Sequence, residues 1–326
     1  MVGKEDLFPE EFNIIGKKDQ EMRYGENWHQ KGCFYKFHPP TDEPCIANAI
    51  QLQGKKLSFN NILDANSAIE CVKEFEEPTC VITKHNTPCG IASAPNLVQA
   101  WDDAFATDTY SPFGGVLAFN RTVGKDVAEK IFKNLKFLEV IIALSFDKDA
   151  VTIFSQKQDI RLLELNGLDK KYDRKGLEFR SVVGGFLVQD RDISFTDESN
   201  WKVVTEKKPS SEDLISMRFA IRCVKHIKSN SVVFVRGTKT VGIGGGQTSR
   251  VDSTWIAVNK GKDNIRHSVM ASDAFFPFRD AVDKAAAAGV DAIIQPGGSK
   301  KDAEVIQAAN EHKIAMVFTG QRYFRH

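Results

Sequence analysis

The sequence TCVITKHNTPCG, residues 79–90, shows most directly how the chain folds and where its chemistry is expected. Its first part, Thr79 to Lys84, is a short apolar and β-branched run, which is typical of a buried strand. Pro88 and Gly90 are turn signals, and we expect them to end the strand. The chain therefore carries a lysine, followed directly by a histidine, at the end of a strand.

Lys84 and His85 together favour acid–base chemistry. Two adjacent cations repel each other, so the fixed charge of Lys84 biases His85 toward its neutral form. A neutral imidazole at physiological pH is what a general base requires. Neighbouring side chains of a strand point to opposite faces, so the pair can serve one pocket only where the strand ends. The alternative is a Lys and a His that face solvent at an ordinary strand end.

Helices and strands alternate on both sides of this strand. Before it, apolar spacing predicts a helix over 57–75 that opens with Ser58. After it, the same patterns predict helices over 96–107, 125–135 and 148–156 and strands over 116–120 and 140–144. Alternation with short connections is typical of an α/β layer fold.

The second half of the chain repeats this order. A polar segment at 166–180 is the best candidate for a link between two units, which we place at 1–175 and 176–326. A long amphipathic helix is predicted over 212–227, capped by Ser210 or Ser211. Further strands are predicted over 232–235, 241–243, 292–295 and 315–319, and further helices over 278–288 and 302–312. The repeated order indicates an internal duplication, although the residues themselves show no repeat.

The composition is that of a soluble globular enzyme. The 326 residues suggest about two domains, 42% of them are hydrophobic and 27% charged, and the net charge is +1. This balance gives no attraction to nucleic acid or anionic membranes, and no apolar run approaches the ~18 residues of a membrane span. The N-terminus lacks the apolar core of a secretory signal. Six cysteines without C-x-x-C spacing favour reduced thiols, so we expect a cytoplasmic location.

Three segments are candidate ligand-binding elements: two lie in the first half of the chain, and the third is a glycine-rich stretch in the second half. The segment Glu21–Gln30 contains Arg23 and Tyr24, and a guanidinium beside a phenol suits a phosphate group, although an ordinary loop is the simpler explanation. Ser111–Gly115 allows close approach of a ligand, but a tight turn explains it equally well. Gly242–Val251 can hold a polar ligand with backbone N–H groups, although it matches neither a P-loop nor the dinucleotide fingerprint.

Further candidates lie in the second half. The segment Lys228–Ser231 contains an Asn amide that either orients a carboxamide ligand or caps a helix end. Ser272–Asp280 is an aromatic cluster beside charges, which is more often core than a stacking surface. Ser299 is a ready helix N-cap. The stretch Gly320–His326 carries two Arg and two aromatic residues after a strand, so we expect it to be docked rather than frayed.

Taken in this order, the segments resemble the AICAR transformylase family, the formyltransferase part of the bifunctional purine biosynthesis proteins. The resemblance runs from about Arg23 to His326 and involves several separate blocks. It implies two cytidine-deaminase-like, three-layer α/β/α subdomains and a homodimer with its active sites at the subunit interface. The implied reaction moves a formyl group from 10-formyltetrahydrofolate to the 5-amino group of AICAR, giving FAICAR and tetrahydrofolate in IMP biosynthesis.

The resemblance also implies roles for individual residues. Lys84 and His85 fall on the catalytic pair, and Asn230 is a second candidate for stabilising the oxyanion. The positions expected to bind AICAR are Arg23, Tyr24 and Arg322 at the phosphate and Gly114, Glu139, Asn230, Arg250 and Phe275 at the base, carboxamide or ribose. The positions on the folate side are Val251, Asp280 and Ser299. Asp273 and His326 lie near a potassium site described for some members.

Two features depart from the family pattern. Trp28 stands where the motif Arg-Tyr-Gly-x-Asn-Pro-His-Gln has its proline. In addition, 22 residues precede Arg23, which leaves no room for the IMP cyclohydrolase domain of the bifunctional protein. We therefore expect a stand-alone transformylase, whose product a separate IMP cyclohydrolase converts to IMP.

The mechanism that we expect for the reaction implied by the resemblance gives each member of the pair one task. His85 removes the proton from the amine, while Lys84 stabilises the developing oxyanion or the leaving folate nitrogen. Two other classes of protein remain as alternatives. A zinc nucleoside deaminase needs H-x-E with P-C-x-x-C, and Pro88-Cys89-Gly90 has no second Cys to complete it. The other alternative is a non-catalytic purine-nucleotide-binding or regulatory module.

Overall fold

The computed structural model describes residues 8–326, in which eight α-helices and sixteen β-strands alternate. The first half contains β1 (Gly16–Glu21), β2 (Cys33–Phe37), β3 (Ile50–Gln53), α1 (Phe59–Val72), β4 (Thr79–Lys84), β5 (Thr87–Ser93), α2 (Leu97–Thr107), β6 (Val116–Phe119), α3 (Lys125–Asn134), β7 (Val140–Ala143), α4 (Lys148–Phe154) and β8 (Arg161–Glu164). The second half contains β9 (Leu177–Val182), β10 (Gly185–Asp190), β11 (Lys202–Val203), α5 (Ser211–Val224), β12 (Val232–Arg236), β13 (Lys239–Gly244), α6 (Arg250–Gly261), β14 (Val269–Ser272), α7 (Asp280–Ala287), β15 (Ala292–Gln295), α8 (Asp302–Glu311) and β16 (Ala315–Phe318). Within this range no helix is both long and apolar enough to cross a membrane.

Twelve of the described strands form one mixed sheet, in the order β11-β16-β15-β14-β12-β13-β5-β4-β6-β7-β8-β3. Each half runs helix, hairpin, helix, strand, helix, strand, helix, strand. The pairing repeats as well: β4 is antiparallel to β5 and β6, as β12 is to β13 and β14, and the next two pairs in each half are parallel. The duplication suggested by the sequence is therefore present in the topology, and the two halves share one continuous sheet.

Matching glycines show how closely the halves correspond. Gly90 in β5 lies so near α2 that a Cβ there would be 2.1 Å from the carbonyl oxygen of Ala104. Gly242 in β13 lies against α6 in the same way, where a Cβ would be 2.6 Å from the carbonyl oxygen of Ala257. Both strands therefore need a glycine where the helix that follows them packs back across.

Helices cover both faces of the sheet. On one face α1 and α5 share a single core that spans both halves, and the rings of Phe75 and Phe219 lie 4.9 Å apart within it. On the other face α2 to α4 cover the first half and α6 to α8 cover the second, each group with its own core. Successive strand residues alternate between these cores, as Val81 and Ile82 do. The arrangement has three layers, with the sheet in the middle.

The strand Thr79–Lys84 is confirmed, but the prediction that Pro88 and Gly90 end it was wrong. A two-residue turn of His85 and Asn86 follows it, with φ of 53° and 59°. Both values lie in the left-handed region, which a two-residue hairpin turn of type I′ requires. Pro88 and Gly90 lie within β5, which pairs back onto β4. Pro88 is tolerated in the strand because a shift of register disturbs the pairing beside it.

Two hairpins lie outside the large sheet and contact each other. β1 pairs with β2, and β9 pairs with β10, both in antiparallel fashion. Aromatic rings join the two hairpins, with centroids 5.5 Å apart for Phe12 and Phe179 and 6.1 Å apart for Phe37 and Phe179. The segment 166–180, which we expected to link the halves, leads directly into this second hairpin.

A buried group of charges, which we call the ion cluster, lies beside α1 and α5. It contains the acids Glu43, Glu70 and Glu74 and the cations Lys73, Arg174, Arg191 and Lys225. Burial raises the pKa of Glu70 and Glu74, but the neighbouring cations and hydrogen bonds outweigh it and lower each pKa to about 2. The ion cluster therefore consists of ionised groups that neutralise one another, and it ties the two halves together.

Candidate active site

The strand directions bring the predicted site residues to one edge of the sheet. β4 ends at this edge with Lys84, and β6 and β7, which run the opposite way, begin there after Gly114 and Glu139. β12 begins at the same edge after Asn230, and β14 ends there just before Asp273. β13, β15 and β16 also end at this edge, so the predicted positions that come after these strands and after β14 lie there too. These positions are Arg250, Val251, Phe275, Asp280, Ser299 and Arg322.

A cleft, which we call the seam cleft, opens at this edge because the two halves of the sheet separate. Among the described residues, β5 and β13 share one aligned pair, Ala92 with Lys239, toward the opposite edge. Toward the site they diverge and leave a cleft of about 300 Å³. Its lining residues are Lys84, His85, Thr87, Pro88, Cys89, Thr107, Asp108, Ser111, Ile243, Gly244, Gly245, Gln247, Ile256 and Lys260. Both halves thus contribute to it.

A second cleft, which we call the loop cleft, meets the seam cleft at Lys84 and His85. It has a volume of about 870 Å³ and lies against the loop between α2 and β6 and the end of α3. Its lining residues are Lys84, His85, Thr109, Tyr110, Ser111, Phe113, Asn134, Leu135 and Lys136. Because Lys84 and His85 line both clefts, two ligands held in separate clefts can both reach them.

The surroundings of Lys84 and His85 leave their reactive groups accessible. Lys84 Nζ donates a hydrogen bond to the carbonyl oxygen of Phe113 at 2.7 Å. Within residues 8–326 it has no other hydrogen-bond partner, so two ammonium hydrogens remain for a ligand. His85 is exposed at the tip of the hairpin, and its backbone N–H donates to the carboxylate of Asp64 at 3.2 Å. The turn is therefore held through its backbone, while the imidazole stays available.

Asp108 and Lys260 form an ion pair at the seam cleft, with 2.8 Å between carboxylate and ammonium. The same carboxylate accepts hydrogen bonds from the hydroxyl of Ser111 and from the backbone N–H groups of Tyr110 and Ser111. Burial raises the pKa of Asp108, but the hydrogen bonds from Lys260 and Ser111 outweigh it, so this pKa lies below its ordinary value. Asp108 thus stays ionised and fixes the loop that carries Phe113.

Cys89 lines the seam cleft as an unreactive thiol. Burial raises the pKa of Cys89 to about 12, and its thiol donates to the carbonyl oxygen of Ile82 at 3.6 Å. The thiolate is the form that attacks carbonyl groups and binds metals, so Cys89 is suited to neither task at neutral pH. Within residues 8–326, no group of three or more His, Cys, Asp or Glu side chains is arranged to hold a metal ion.

A group of polar side chains centred on Arg250 lies behind the glycine-rich loop. The buried guanidinium donates to Oδ1 of Asn230 at 2.8 Å, to Oδ1 of Asp273 at 2.9 Å and to the carbonyl oxygen of Phe275 at 3.0 Å. The side-chain NH₂ of Asn230 donates to the carbonyl oxygens of residues 247 and 248, both at 3.1 Å. The amide hydrogens of Asn230 are thus engaged within the protein, and they hold the loop that lines the seam cleft.

The C-terminal stretch is docked against this group, as predicted. Tyr323 is buried, and its N–H donates to the carbonyl oxygen of Asp273 at 2.8 Å. Ser229 N–H donates to the carbonyl oxygen of Arg325 at 2.9 Å, and Arg325 N–H donates to the hydroxyl of Ser229 at 3.1 Å. The Arg325 guanidinium lies 3.1 Å from Nδ1 of His226. The stretch is thus fixed by both backbone and side-chain contacts.

Glu139 and Gly114 lie at the starts of adjacent strands. Oε2 of Glu139 accepts from Arg161 at 2.8 Å and from Asn61 at 3.3 Å. Among the described residues its other oxygen, Oε1, has no hydrogen-bond partner and remains for a ligand hydroxyl. Gly114 has a φ of 71° and donates its N–H to the carbonyl oxygen of Phe137 at 3.0 Å.

Most of the predicted ligand-binding residues do not line either of the two clefts. These residues are Arg23, Tyr24, Gly114, Glu139, Asn230, Arg250, Val251, Phe275, Asp280, Ser299 and Arg322. Arg23 stacks near its neighbour Tyr24, with 6.0 Å between guanidinium and ring centroid, and Arg322 is exposed beside Phe324 at 4.8 Å. Of the predicted site residues, these two clefts are thus lined by Lys84 and His85.

Ser299 is not a helix cap, so that prediction was wrong. α8 begins at Asp302, and its preceding residue Lys301 makes no side-chain cap. The hydroxyl of Ser299 instead accepts from the N–H of Lys301 at 3.0 Å, within the loop. The carboxylate of Asp302, the first residue of α8, accepts from the N–H groups of Gly298 and Ser299, so it holds the loop that precedes the helix.

Comparison with known proteins is decisive for the family. The family model described as the AICARFT/IMPCHase bienzyme matches residues 1–260. The chain belongs to the AICARFT/IMPCHase bienzyme family. This agrees with the resemblance drawn from the separate sequence blocks.

Curated members of the AICARFT/IMPCHase family are similar over the whole chain. Bifunctional purine biosynthesis protein PurH of Acetivibrio thermocellus is 49% identical over 322 residues, which cover 99% of this chain and 62% of that protein. PurH of Magnetococcus marinus is 48% identical, with 99% and 63% covered. PurH of Caldicellulosiruptor bescii is 49% identical, with 100% and 63% covered. The chain thus spans somewhat less than two thirds of these relatives' length.

The potassium site suggested by the family resemblance fits the residues only in part. Asp273 is buried, and its carboxylate accepts from the Ser229 hydroxyl at 2.5 Å. The nearby hydroxyl of Ser231 is buried and has no partner among the described residues, which leaves an oxygen for a hard cation. His326, by contrast, is exposed, and its ring contacts that of Phe324. Potassium at this position stays a prediction, and no step of the chemistry below depends on it.

Three residues of the site were not predicted from the sequence. They are Asp64 beneath the hairpin turn and the pair Asp108 and Lys260 at the seam cleft. Asp108 could have been found, since an Asp just before the turn signal Ser111-Pro112 is typical of a turn that its carboxylate holds. Asp64 and Lys260 give no local signal, because tertiary folding alone brings them to the site.

Proposed function

We propose that this chain transfers the formyl group of 10-formyltetrahydrofolate to the 5-amino group of AICAR, giving FAICAR and tetrahydrofolate in purine biosynthesis. Membership of the AICARFT/IMPCHase family supports this reaction. The observation that carries it is the position of Lys84 and His85 at the junction of the seam cleft and the loop cleft. A transfer between two substrates requires such a meeting point.

The proposed chemistry makes proton removal the main task. The amine of AICAR is a poor nucleophile because its lone pair is delocalised into an imidazole that bears a carboxamide. The amine nitrogen attacks the formyl carbon, and His85 accepts the amine proton. The bond from this carbon to N10 of the folate then breaks, its electron pair stays on N10, and N10 takes up the proton that His85 accepted, which returns His85 to its neutral form. The formyl group is transferred without oxidation or reduction.

Lys84 is better suited than Asn230 to stabilise the oxyanion. Two ammonium hydrogens of Lys84 have no partner among the described residues, whereas the amide hydrogens of Asn230 are bonded to backbone carbonyls. A preorganised charged donor near a developing oxyanion lowers the barrier strongly. In this mechanism Asn230 instead orients Arg250 and the glycine-rich loop.

We also infer that the active unit is a homodimer of two cytidine-deaminase-like subdomains per chain, 1–175 and 176–326. The support is that most expected ligand positions lie at the same edge as the reactive pair but outside its clefts. A second chain completes the site. The proposed contacts are Arg23, Tyr24 and Arg322 to phosphate, Gly114, Glu139, Arg250 and Phe275 to the rest of AICAR, and Val251, Asp280 and Ser299 to folate.

The test is a direct assay with purified protein. AICAR and 10-formyltetrahydrofolate are mixed with the protein, tetrahydrofolate is followed by absorbance, and FAICAR is identified by mass. Formation of FAICAR in step with tetrahydrofolate supports the proposal. Binding of AICAR without any formyl transfer would favour the non-catalytic nucleotide-binding module. A parallel reaction with FAICAR alone, analysed for IMP, tests whether the chain carries the other activity in the family's name.

A further inference from the structure

The carboxylate of Asp64 holds the hairpin turn from below. Asp64 lies in α1, and its Oδ2 and Oδ1 accept from the backbone N–H groups of His85 at 3.2 Å and Asn86 at 2.7 Å. One helical turn further on, the hydroxyl of Ser67 donates to the carbonyl oxygen of Asn86 at 3.1 Å. Side chains of a single helix thus bind the polar backbone groups of both turn residues.

The turn needs this support because of its backbone conformation. His85 and Asn86 have φ of 53° and 59°, and residues with a Cβ rarely adopt such values. Asn and His tolerate the left-handed region better than most residues, but two consecutive residues with a Cβ in this region still cost free energy unless the surrounding structure holds them. The conformation also determines the direction in which the imidazole leaves the backbone. A different turn would therefore point His85 away from the junction of the two clefts.

The duplicated half contains a two-residue hairpin turn at the equivalent position, but there only the first residue has a positive φ. There, Gly237 follows β12 as His85 follows β4, and it has a φ of 62°. Its N–H donates to the hydroxyl of Ser216 at 2.9 Å, and Ser216 lies in α5 as Asp64 lies in α1. A glycine and one hydroxyl are therefore sufficient for folding at this position. At the turn that carries His85, the carboxylate of Asp64 stands in place of this hydroxyl.

We propose that Asp64 is a positioning residue that keeps the His85–Asn86 turn left-handed and so directs the His85 imidazole into the junction of the two clefts. The catalytic part of this inference depends on the formyl transfer proposed above. The part that concerns the turn does not depend on it.

The experiment compares Asp64→Asn with Ser216→Ala, which removes the equivalent support from the opposite edge of the sheet. Asn has a single accepting oxygen in place of the two carboxylate oxygens, so the two N–H groups of the turn must share one uncharged acceptor or one of them loses its partner. We expect kcat to fall by about 10²-fold in Asp64→Asn, since small misplacement of a catalytic group costs that much. KM for AICAR stays unchanged, and Ser216→Ala keeps the wild-type kcat.

A second variant tests positioning apart from folding. Glycine adopts positive φ without a steric penalty, so Asn86→Gly makes the turn less dependent on the carboxylate. Asp64→Asn with Asn86→Gly should regain part of the lost kcat. Asp64→Ser, which offers the hydroxyl that suffices for folding at Gly237, should fold and still show reduced kcat.

Hydrogen–deuterium exchange gives a readout that needs no activity. The peptide spanning residues 85 and 86 should exchange faster in Asp64→Asn than in wild type, and Ser216→Ala should leave it unchanged. If the wild-type protein transfers no formyl group, the proposed function fails, and this exchange alone decides whether Asp64 holds the turn. The inference would be overturned if Asp64→Asn kept both the kcat and the exchange rate of wild type. It would also be overturned if Ser216→Ala lost as much kcat as Asp64→Asn. Failure of both Asp64→Asn and Asp64→Ser to fold would also overturn it.

Discussion

His85 combines an exposed imidazole with a backbone that is fixed from below. Because a positioned general base typically contributes about 10²–10⁴-fold in rate, we expect His85→Ala to lose kcat by that factor. AICAR binding should remain, since the proposed phosphate contacts lie elsewhere. Steady-state kinetics and calorimetric titration with AICAR measure the two effects separately.

His267→Ala is the matched control for this substitution. His267 is also exposed and has a φ of 58°, but it lies before β14 at the opposite edge of the sheet. It should keep the wild-type kcat. A His85→Ala protein with kcat equal to that of this control would exclude His85 as the base.

The location of Lys84 and His85 could be predicted from the sequence because the two residues are consecutive and follow a recognisable strand pattern. The location of Asp64, Asp108 and Lys260 could not, since each reaches the site through tertiary folding. The engagement of the Asn230 amide was equally hidden, because its partners at residues 247 and 248 belong to a different loop.

At the level of single elements, close packing of strand on helix makes the strongest demand. A Cβ at Gly90 would lie 2.1 Å from the carbonyl oxygen of Ala104, and a backbone atom cannot move aside cheaply. We therefore expect Gly90→Ala to lower the free energy of unfolding by about 1–3 kcal/mol, the usual cost of overpacking. Urea denaturation followed by circular dichroism measures it.

Gly185→Ala serves as the comparison for this effect. Gly185 begins β10, where a Cβ would have no atom within 4 Å and φ is not positive. Its urea midpoint should match that of wild type. Equal midpoints for Gly90→Ala and Gly185→Ala would show that α2 does not pack on β5 as described.

Long elements with clear periodicity could be predicted, and so could most of the short buried strands, such as β6, β7, β15 and β16. The caps Ser58 and Ser210 are confirmed, each in a capping box. β5 was missed because Pro88 and Gly90 suggest a turn, yet a bulge and a close helix explain both within a strand. β14 was also missed, although other strands of four residues were predicted.

At the scale of the whole molecule, the ion cluster makes stability depend on pH. Glu74 has its pKa lowered to about 2, so its stabilising contribution is present above the unfolded value of 4.5 and is lost as pH falls toward 2. Burial lowers the pKa of His226 from 6.5, so its protonation also favours the unfolded chain as pH falls. We expect the melting temperature to fall steadily from about pH 6.5 to pH 3.

Glu74→Gln should weaken this pH dependence and cost about 3–5 kcal/mol at pH 7, because it leaves buried cations without their partner. Glu76→Gln is the control, since Glu76 pairs with Lys171 at the surface, where such a pair is worth about 0–1 kcal/mol. Thermal melts at several pH values compare them. Identical melting curves for the two variants would contradict the role assigned to the ion cluster.

Arg322 and Arg325 should separate binding from docking in the C-terminal stretch. Arg322 is exposed, so Arg322→Ala should keep the melting temperature and raise KM for AICAR by about 10–100-fold, the worth of a charged hydrogen bond to phosphate. Arg325 contacts His226 and Ser67, so Arg325→Ala should lower the melting temperature. If Arg322→Ala lowered the melting temperature and Arg325→Ala raised KM, then Arg325 would bind the substrate and Arg322 would dock the C-terminal stretch.

The duplication could be predicted from the order of elements, but the seam between the halves could not, because it depends on the register of β5 against β13. These strands hold the halves together near one edge and leave them apart at the other. A molecule bound there touches both halves, and neither half alone offers the full lining. Both halves must stay folded to keep this molecule bound. A saturating concentration of it should therefore make the two halves melt together in one cooperative transition.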